Sequence, residues 1–84
     1  MQIEKPFLSS SEAYRRYLES PVWRDHKMIL EEQIEFARAE CDAVESVETL
    51  RHHQGAIQTL KNMIAYFEEE MLDKIIEQEV QENA

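Results

Sequence analysis

A seven-residue apolar repeat runs through the second half of the chain and leaves few folds open to it. Leu50, Ile57, Ile64 and Met71 recur at every seventh position, and His53, Leu60 and Phe67 follow three residues after the first three of them. That spacing puts all seven side chains on one stripe of an α-helix, the a/d seam by which a long helix lies against another. Turn material is scarce: one Gly and two Pro in 84 residues favour long helices with few connections. The sequence predicts an all-α fold, a helical hairpin of two long helices with a short N-terminal helix and coiled-coil-like packing.

Residues 1–8, with Pro6 among them, read as an extended N-terminal arm, residues 9–80 as the hairpin domain and residues 81–84 as a C-terminal tail. Ser9-x-x-Glu12 fits a capping box opening a helix over about 10–19, with Ala13, Tyr14, Tyr17 and Leu18 on one stripe. Ser20-Pro21 is the clearest boundary: Pro disfavours helical geometry in the residue before it and suits the first helical position, with Ser20 as N-cap. The first long helix is expected over about 21–41. It carries two seven-residue series, Trp23, Leu30, Ala37 and Val44, and Val22, Ile29 and Phe36, widened by Ile34 and Cys41. A face this broad needs two neighbours, the short helix or another subunit.

Asp42 and Ser46 are both N-cap candidates, and Asp42-x-x-Glu45 fits a capping box, so a helix–helix turn is expected near 42–46. The rival is a single bent helix whose partner surface lies wholly on other chains. The second long helix then covers about 47–80. At about 1.5 Å per residue it spans about 50 Å against about 31 Å for the first. Antiparallel pairing brings Trp23 level with Ile64 to Phe67 and leaves residues beyond about 70 without an intrachain partner. Met71, Leu72, Ile75, Ile76 and Val80 are therefore expected to form an interface. Trp23 joins them, either as a partner hot spot or as the anchor capping the open end of the hairpin. Gly inside a helix costs about 1 kcal/mol relative to Ala. Its expected compensation is a close helix crossing, with Gly55 as the notch beside Gln33 or Ala37.

The residues that carry chemistry are few. His52-His53 near Glu48 invites a metal reading, but adjacent helical side chains point about 100° apart. Thr49 and Leu50, not Glu, stand three residues before the two histidines, so the Glu-x-x-His of di-iron bundles is missing. One Cys cannot build a structural zinc site. His53 is expected in the seam as a polar, register-setting residue, with His52 facing water. Cys41 excludes an internal disulfide, fits a reducing compartment and reads as a small core residue. No third group orients Cys41 and a histidine for nucleophilic catalysis. The sequence thus predicts no catalytic, cofactor-binding or metal-binding residue. No apolar run nears the roughly 18 residues of a membrane span, and the start lacks the pattern of a signal peptide. A soluble protein without membrane contact, held in the compartment where it is made, is expected.

Eighteen acids against nine bases give a net charge of −9, and residues 68–84 alone hold seven acids and one base. Such a surface repels phosphate, which argues against direct nucleic-acid binding. The acidic end reads as a solvated helix end, a contact for a basic partner or a mimic of nucleic acid.

Ser20-Pro21-Val22-Trp23 at the start of one helix and Leu50-Arg51-x-x-Gln54-Gly55-x-Ile57-x-x-Leu60-Lys61 in the next resemble a group of small tailed-bacteriophage proteins encoded among head and portal genes. The resemblance covers about residues 20–68. Ala56 stands where that group usually has a basic residue, and the last helix runs on where the group has a Pro-containing tail. The resemblance implies a setting, in the virion or the host cytoplasm, more than an activity. The expected function is that of a non-enzymatic interaction protein, a phage virion accessory component that forms a homo-oligomer or docks on a larger viral assembly. The alternative is an acidic phage-encoded inhibitor of a host nucleic-acid-binding complex. A third reading is an adaptor or antitoxin-like subunit that exists only with its protein partner.

Overall fold

The computed structural model describes residues 6–43 and 46–83. The described chain is all-α. Helix α1 covers Ser11–Leu18, α2 Pro21–Ala43 and α3 Val47–Ala65; a π-helical turn at Tyr66–Glu70 then leads directly into α4, Met71–Glu82. The backbone stays in the right-handed helical region through both junctions, so residues 47–82 form one continuous rod. Val44, Glu45 of the second capping box, residues 1–5 of the arm and Ala84 of the tail lie outside the described residues.

Local chemistry fixes the helix starts. Ser10, one residue later than expected, caps α1: its side chain accepts from the Ala13 N–H at 3.1 Å. Ser9 and Ser10 are chemically equivalent caps, and Ser10 has the extended backbone that the position demands. Ser20 Oγ accepts from the Trp23 N–H at 3.2 Å and donates to the Tyr17 carbonyl at 2.6 Å. One hydroxyl thus closes α1 and opens α2. Ser46 caps α3 by accepting from the Thr49 N–H at 3.1 Å.

Helices α2 and α3 lie antiparallel. Trp23 meets Phe67 edge-on with ring centroids 6.0 Å apart, and Lys27 Nζ pairs with Glu68 at 3.0 Å, the register expected from the sequence. The seam residues Leu50, His53, Ile57, Leu60, Ile64, Phe67 and Met71 are all half-buried, whereas His52, Gln54 and Gln58 are exposed.

Beyond Met71 the heptad fails, because the next seam position holds the exposed Lys74 while Ile75 is buried completely. Phe67 and Ile75 are eight residues apart, about 80° out of line in an ideal α-helix. The π turn adds a residue to its turn and swings Ile75 back under Phe67 and Met71. There α1 covers it. The two segments are also clamped by side chains: Phe7 donates to Gln78 Oε1 at 2.8 Å, Gln78 Nε2 donates to the Phe7 carbonyl at 3.0 Å, and the Ser11 N–H donates to Glu79 Oε1 at 3.2 Å. A carboxylate at a helix N-terminus is well placed against the helix dipole.

Two expectations are corrected here. The end of the rod has an intrachain partner, since α1 and the residue pairs above lie along it. Ile75 is fully buried, Met71, Leu72 and Ile76 are half-buried, and only Val80 of that set stands 65% exposed. The expected close crossing at Gly55 is also not formed within the chain. A Cβ at Gly55 meets nothing within 4 Å, although Ala37 is buried. Gly55 has no positive φ, so neither backbone geometry nor packing calls for glycine. Gly55→Ala is expected to raise stability by about 0.5–1 kcal/mol through helix propensity alone, read as a higher denaturant midpoint at unchanged slope. A lower midpoint would reveal a neighbour that the isolated chain lacks.

Candidate interaction face

Helix α2 carries two stripes of opposite fate. Trp23, Ile34 and Ala37 are buried, and Leu30 and Cys41 half-buried, toward α1 and α3. Val22, Ile29 and Phe36 stand 55%, 51% and 65% exposed. Ile29 and Ile34 differ by five residues, about 140° around the helix, so a helix that covers one cannot cover the other. The short α1 reaches Trp23 but leaves the outer stripe bare. This chain supplies α3 and α1 as neighbours of α2, and the outer stripe is covered by neither.

Next to that stripe lies an open groove of about 650 Å³ where α1, α2 and the rod meet. Tyr14, Tyr17, Trp23, Leu30, Met63 and Phe67 line it, with Ile29 at its edge. Met63 is 41% exposed. A relay of rings forms the wall: Tyr14 to Tyr17 and Tyr17 to Trp23 at 5.9 Å, then Trp23 to Phe67. Such spacings suit tilted and edge-on aromatic pairs. Trp23 is only 5% exposed. It is an intrachain anchor, as one of its two readings had it, and its buried ring presents little surface to a partner.

The floor of the groove depends on the π turn. The Met71 N–H bonds to the Tyr66 carbonyl, five residues back, and so does not serve Phe67. The Tyr14 hydroxyl donates to the Phe67 carbonyl instead. Burial, and after it the neighbouring Tyr17, Tyr66 and Glu68, hold the Tyr14 phenol above its ordinary pKa of 10.0. It therefore remains a donor.

The opposite face of the α2/α3 pair is polar. Lys27, Glu31, Glu35 and Arg38 line it from α2, with Lys61, Glu68 and Glu69 opposite. Arg38 pairs with Glu35 at 2.6 Å. These exposed pairs contribute little to stability, but they mark the water-facing side.

The histidines divide as expected, His53 half-buried in the seam and His52 exposed. Among the described residues, no group of three His, Cys, Asp or Glu side chains is placed to hold a metal ion. Cys41 is a free, half-buried thiol. No described helix is long and apolar enough to cross a membrane. The residues that sequence reasoning missed are Met63 and the separateness of the Val22 stripe. The signal was present: the 140° between Ile29 and Ile34 follows from numbering alone, and Met63, one position outside the seam, follows Ala56 by seven residues. The chain matches no protein-family model, no curated protein and no solved structure.

Tyr14→Phe removes the donor and leaves the Phe67 carbonyl unpaired, so a loss of about 1–3 kcal/mol is expected. A phenol with a raised folded-state pKa retains its proton where the unfolded chain releases it. Its contribution is therefore complete below pH 10 and is lost as pH rises further. Denaturation at neutral and alkaline pH should show the wild type losing stability above pH 10 more steeply than Tyr14→Phe; parallel curves would remove Tyr14 from this role.

Proposed function

We propose that this chain is a non-enzymatic interaction protein, a helical hairpin with coiled-coil-like packing that buries its bare apolar face against other protein subunits as an accessory component of a tailed-phage virion. The observation that carries the reading is the uncovered stripe of Val22, Ile29 and Phe36 beside Met63 and the aromatic groove. Scattered surface apolar residues need no explanation, whereas a contiguous stripe next to a groove marks a contact surface. The virion setting rests on the resemblance over about residues 20–68, whose Ser20-Pro21-x-Trp23 start does structural work here as cap and anchor. The inhibitor reading draws less support. Two acids of the C-terminal rod, Glu68 and Glu79, are engaged with Lys27 and Ser11 of the same chain.

A photo-crosslinking amino acid at Ile29 or Phe36, with Glu31 on the polar face as control, tests this in the cells that make the protein. Adducts with another copy of the chain or with a head protein of purified virions are expected from Ile29 and Phe36, and none from Glu31. Adducts confined to non-virion proteins would overturn the virion setting. Absence of any protein adduct would overturn the face itself.

A further inference from the structure

We infer that the occupant of this face is a second copy of the chain, related by a two-fold axis so that Phe36 of each copy enters the aromatic groove of the other. The inference rests on the interaction-protein reading and names its partner.

The first argument is architectural. The Cα envelope measures 56 × 28 × 15 Å, long and thin. Among the described residues only Tyr14, Trp23, Ile34, Ala37 and Ile75 are buried. Stable domains bury a contiguous core between packed elements, and the five buried residues of this chain make a small one.

The second argument is shape. A two-fold contact is isologous: where residue i touches j of the other copy, j touches i in return. Such a surface must carry both a projection and its receptacle. Here both lie on one face. Phe36, 65% exposed, projects from it, and the groove opens beside Ile29, about 10 Å away along α2. An axis near Gln33 brings each Phe36 over the other copy's Ile29 and Leu30. Gln33 itself then lies on the axis, where two side-chain amides can donate to and accept from each other and fix the register.

Charge is the third argument. The chain carries −9, so most ways of pairing two copies bring acids together. The strip between the stripes holds His26, Ile29, Leu30, Gln33 and Phe36 from α2 and Leu60 and Met63 from α3, with one acid, Glu40, toward the end of α2, where an axis at Gln33 sets it level with the other copy's His26. Asp25 and Glu32 fall on the side of the stripe turned away from Leu30 and the groove, by about 40° and 60°, where they remain in water. The area is sufficient as well. Helix α2 has 23 residues; at 1.5 Å each, with two helices about 10 Å wide, the footprint is ~700 Å² per copy, or ~1,400 Å² in all, within the range of specific interfaces.

The test is the solution mass of the full chain by light scattering, with helix content followed by circular dichroism. The wild type is expected at twice the mass of one chain. Phe36→Glu and Met63→Lys, both at exposed positions outside the core, are each expected at the mass of one chain with helix content retained. An equimolar mixture of the two should recover the double mass, because the mixed pair has one native Phe36–groove contact and sets the introduced acid beside the introduced amine. A second measurement does not depend on loss: in a Cys41→Ser background, Gln33→Cys should form an intermolecular disulfide on oxidation and Glu31→Cys should not. A single-chain wild-type mass, a double mass indifferent to both substitutions, or a mixture that fails to recover overturns the proposal. A single-chain wild type that still yields virion adducts from Phe36 defeats self-association alone, whereas absence of adducts defeats the broader reading as well.

Discussion

The hydroxyl of Tyr14 donates to a carbonyl that the π turn has taken out of the helical ladder, and three elements take their places from that contact. A π turn in a helix leaves a carbonyl without its usual amide, which is costly unless another donor arrives. Tyr14, buried at 6% exposure on α1, is that donor. The bond holds α1 against the rod and stabilises the turn that rotates Ile75 beneath α1. The same ring begins the aromatic relay through Tyr17 and Trp23 to Phe67, which ties the start of α2 to the turn. Helix registry, the cover over the end of the rod and the groove are consequences of one local rearrangement.

Length mismatch makes that rearrangement necessary. Helix α2 ends the antiparallel contact at Trp23, level with Phe67, and the rod continues to Glu82. Without α1 the apolar side of α4 would stand in water, at a cost of about 1.5–3 kcal/mol for each large side chain left exposed. Eight helical residues and the segment before them are enough to cover Ile75, helped by the reciprocal amide bonds between Phe7 and Gln78. They are not enough to cover α2 as well. A short helix has one apolar stripe, and α1 directs Tyr14, Tyr17 and Leu18 inward at the rod and Trp23, leaving nothing for Val22, Ile29 and Phe36.

The seam from Leu50 to Met71, the antiparallel register and the Ser20-Pro21 boundary were legible in the sequence because each depends on local rules: heptad spacing, helix length and cap chemistry. The slip from Ser9 to Ser10 reflects two adjacent residues able to do the same job. The π turn was not legible. Its only trace is that Lys74 occupies the next heptad position while Ile75 is apolar, and Leu72, Ile75 and Ile76 can equally be read as a new stripe awaiting a partner. Deciding between those readings requires knowing where Tyr14 lies, a contact across 53 residues of sequence. Gly55 misled for the opposite reason. A helix-weakening residue suggests a crossing, but nothing in the chain approaches it.

Moving the unsatisfied apolar surface from the end of the rod to the flank of α2 changes what kind of contact the protein can make. An exposed end beyond residue 70 would sit amid four acids, directly after the run Glu68 to Glu70, and any partner there would have to be basic or accept their desolvation. The flank of α2 has Asp25 and Glu32 along its outer margin and Glu40 near its end, and beyond the groove it meets Met63 and Leu60 rather than charge. Apolar burial there strips water from fewer carboxylates than burial at the end of the rod, where Asp73, Glu77 and Glu82 remain exposed. The uneven charge of the chain and its bare stripe are then two sides of one arrangement, in which seven of the eighteen acids gather in residues 68–84, along the rod's end, and the flank of α2 keeps few.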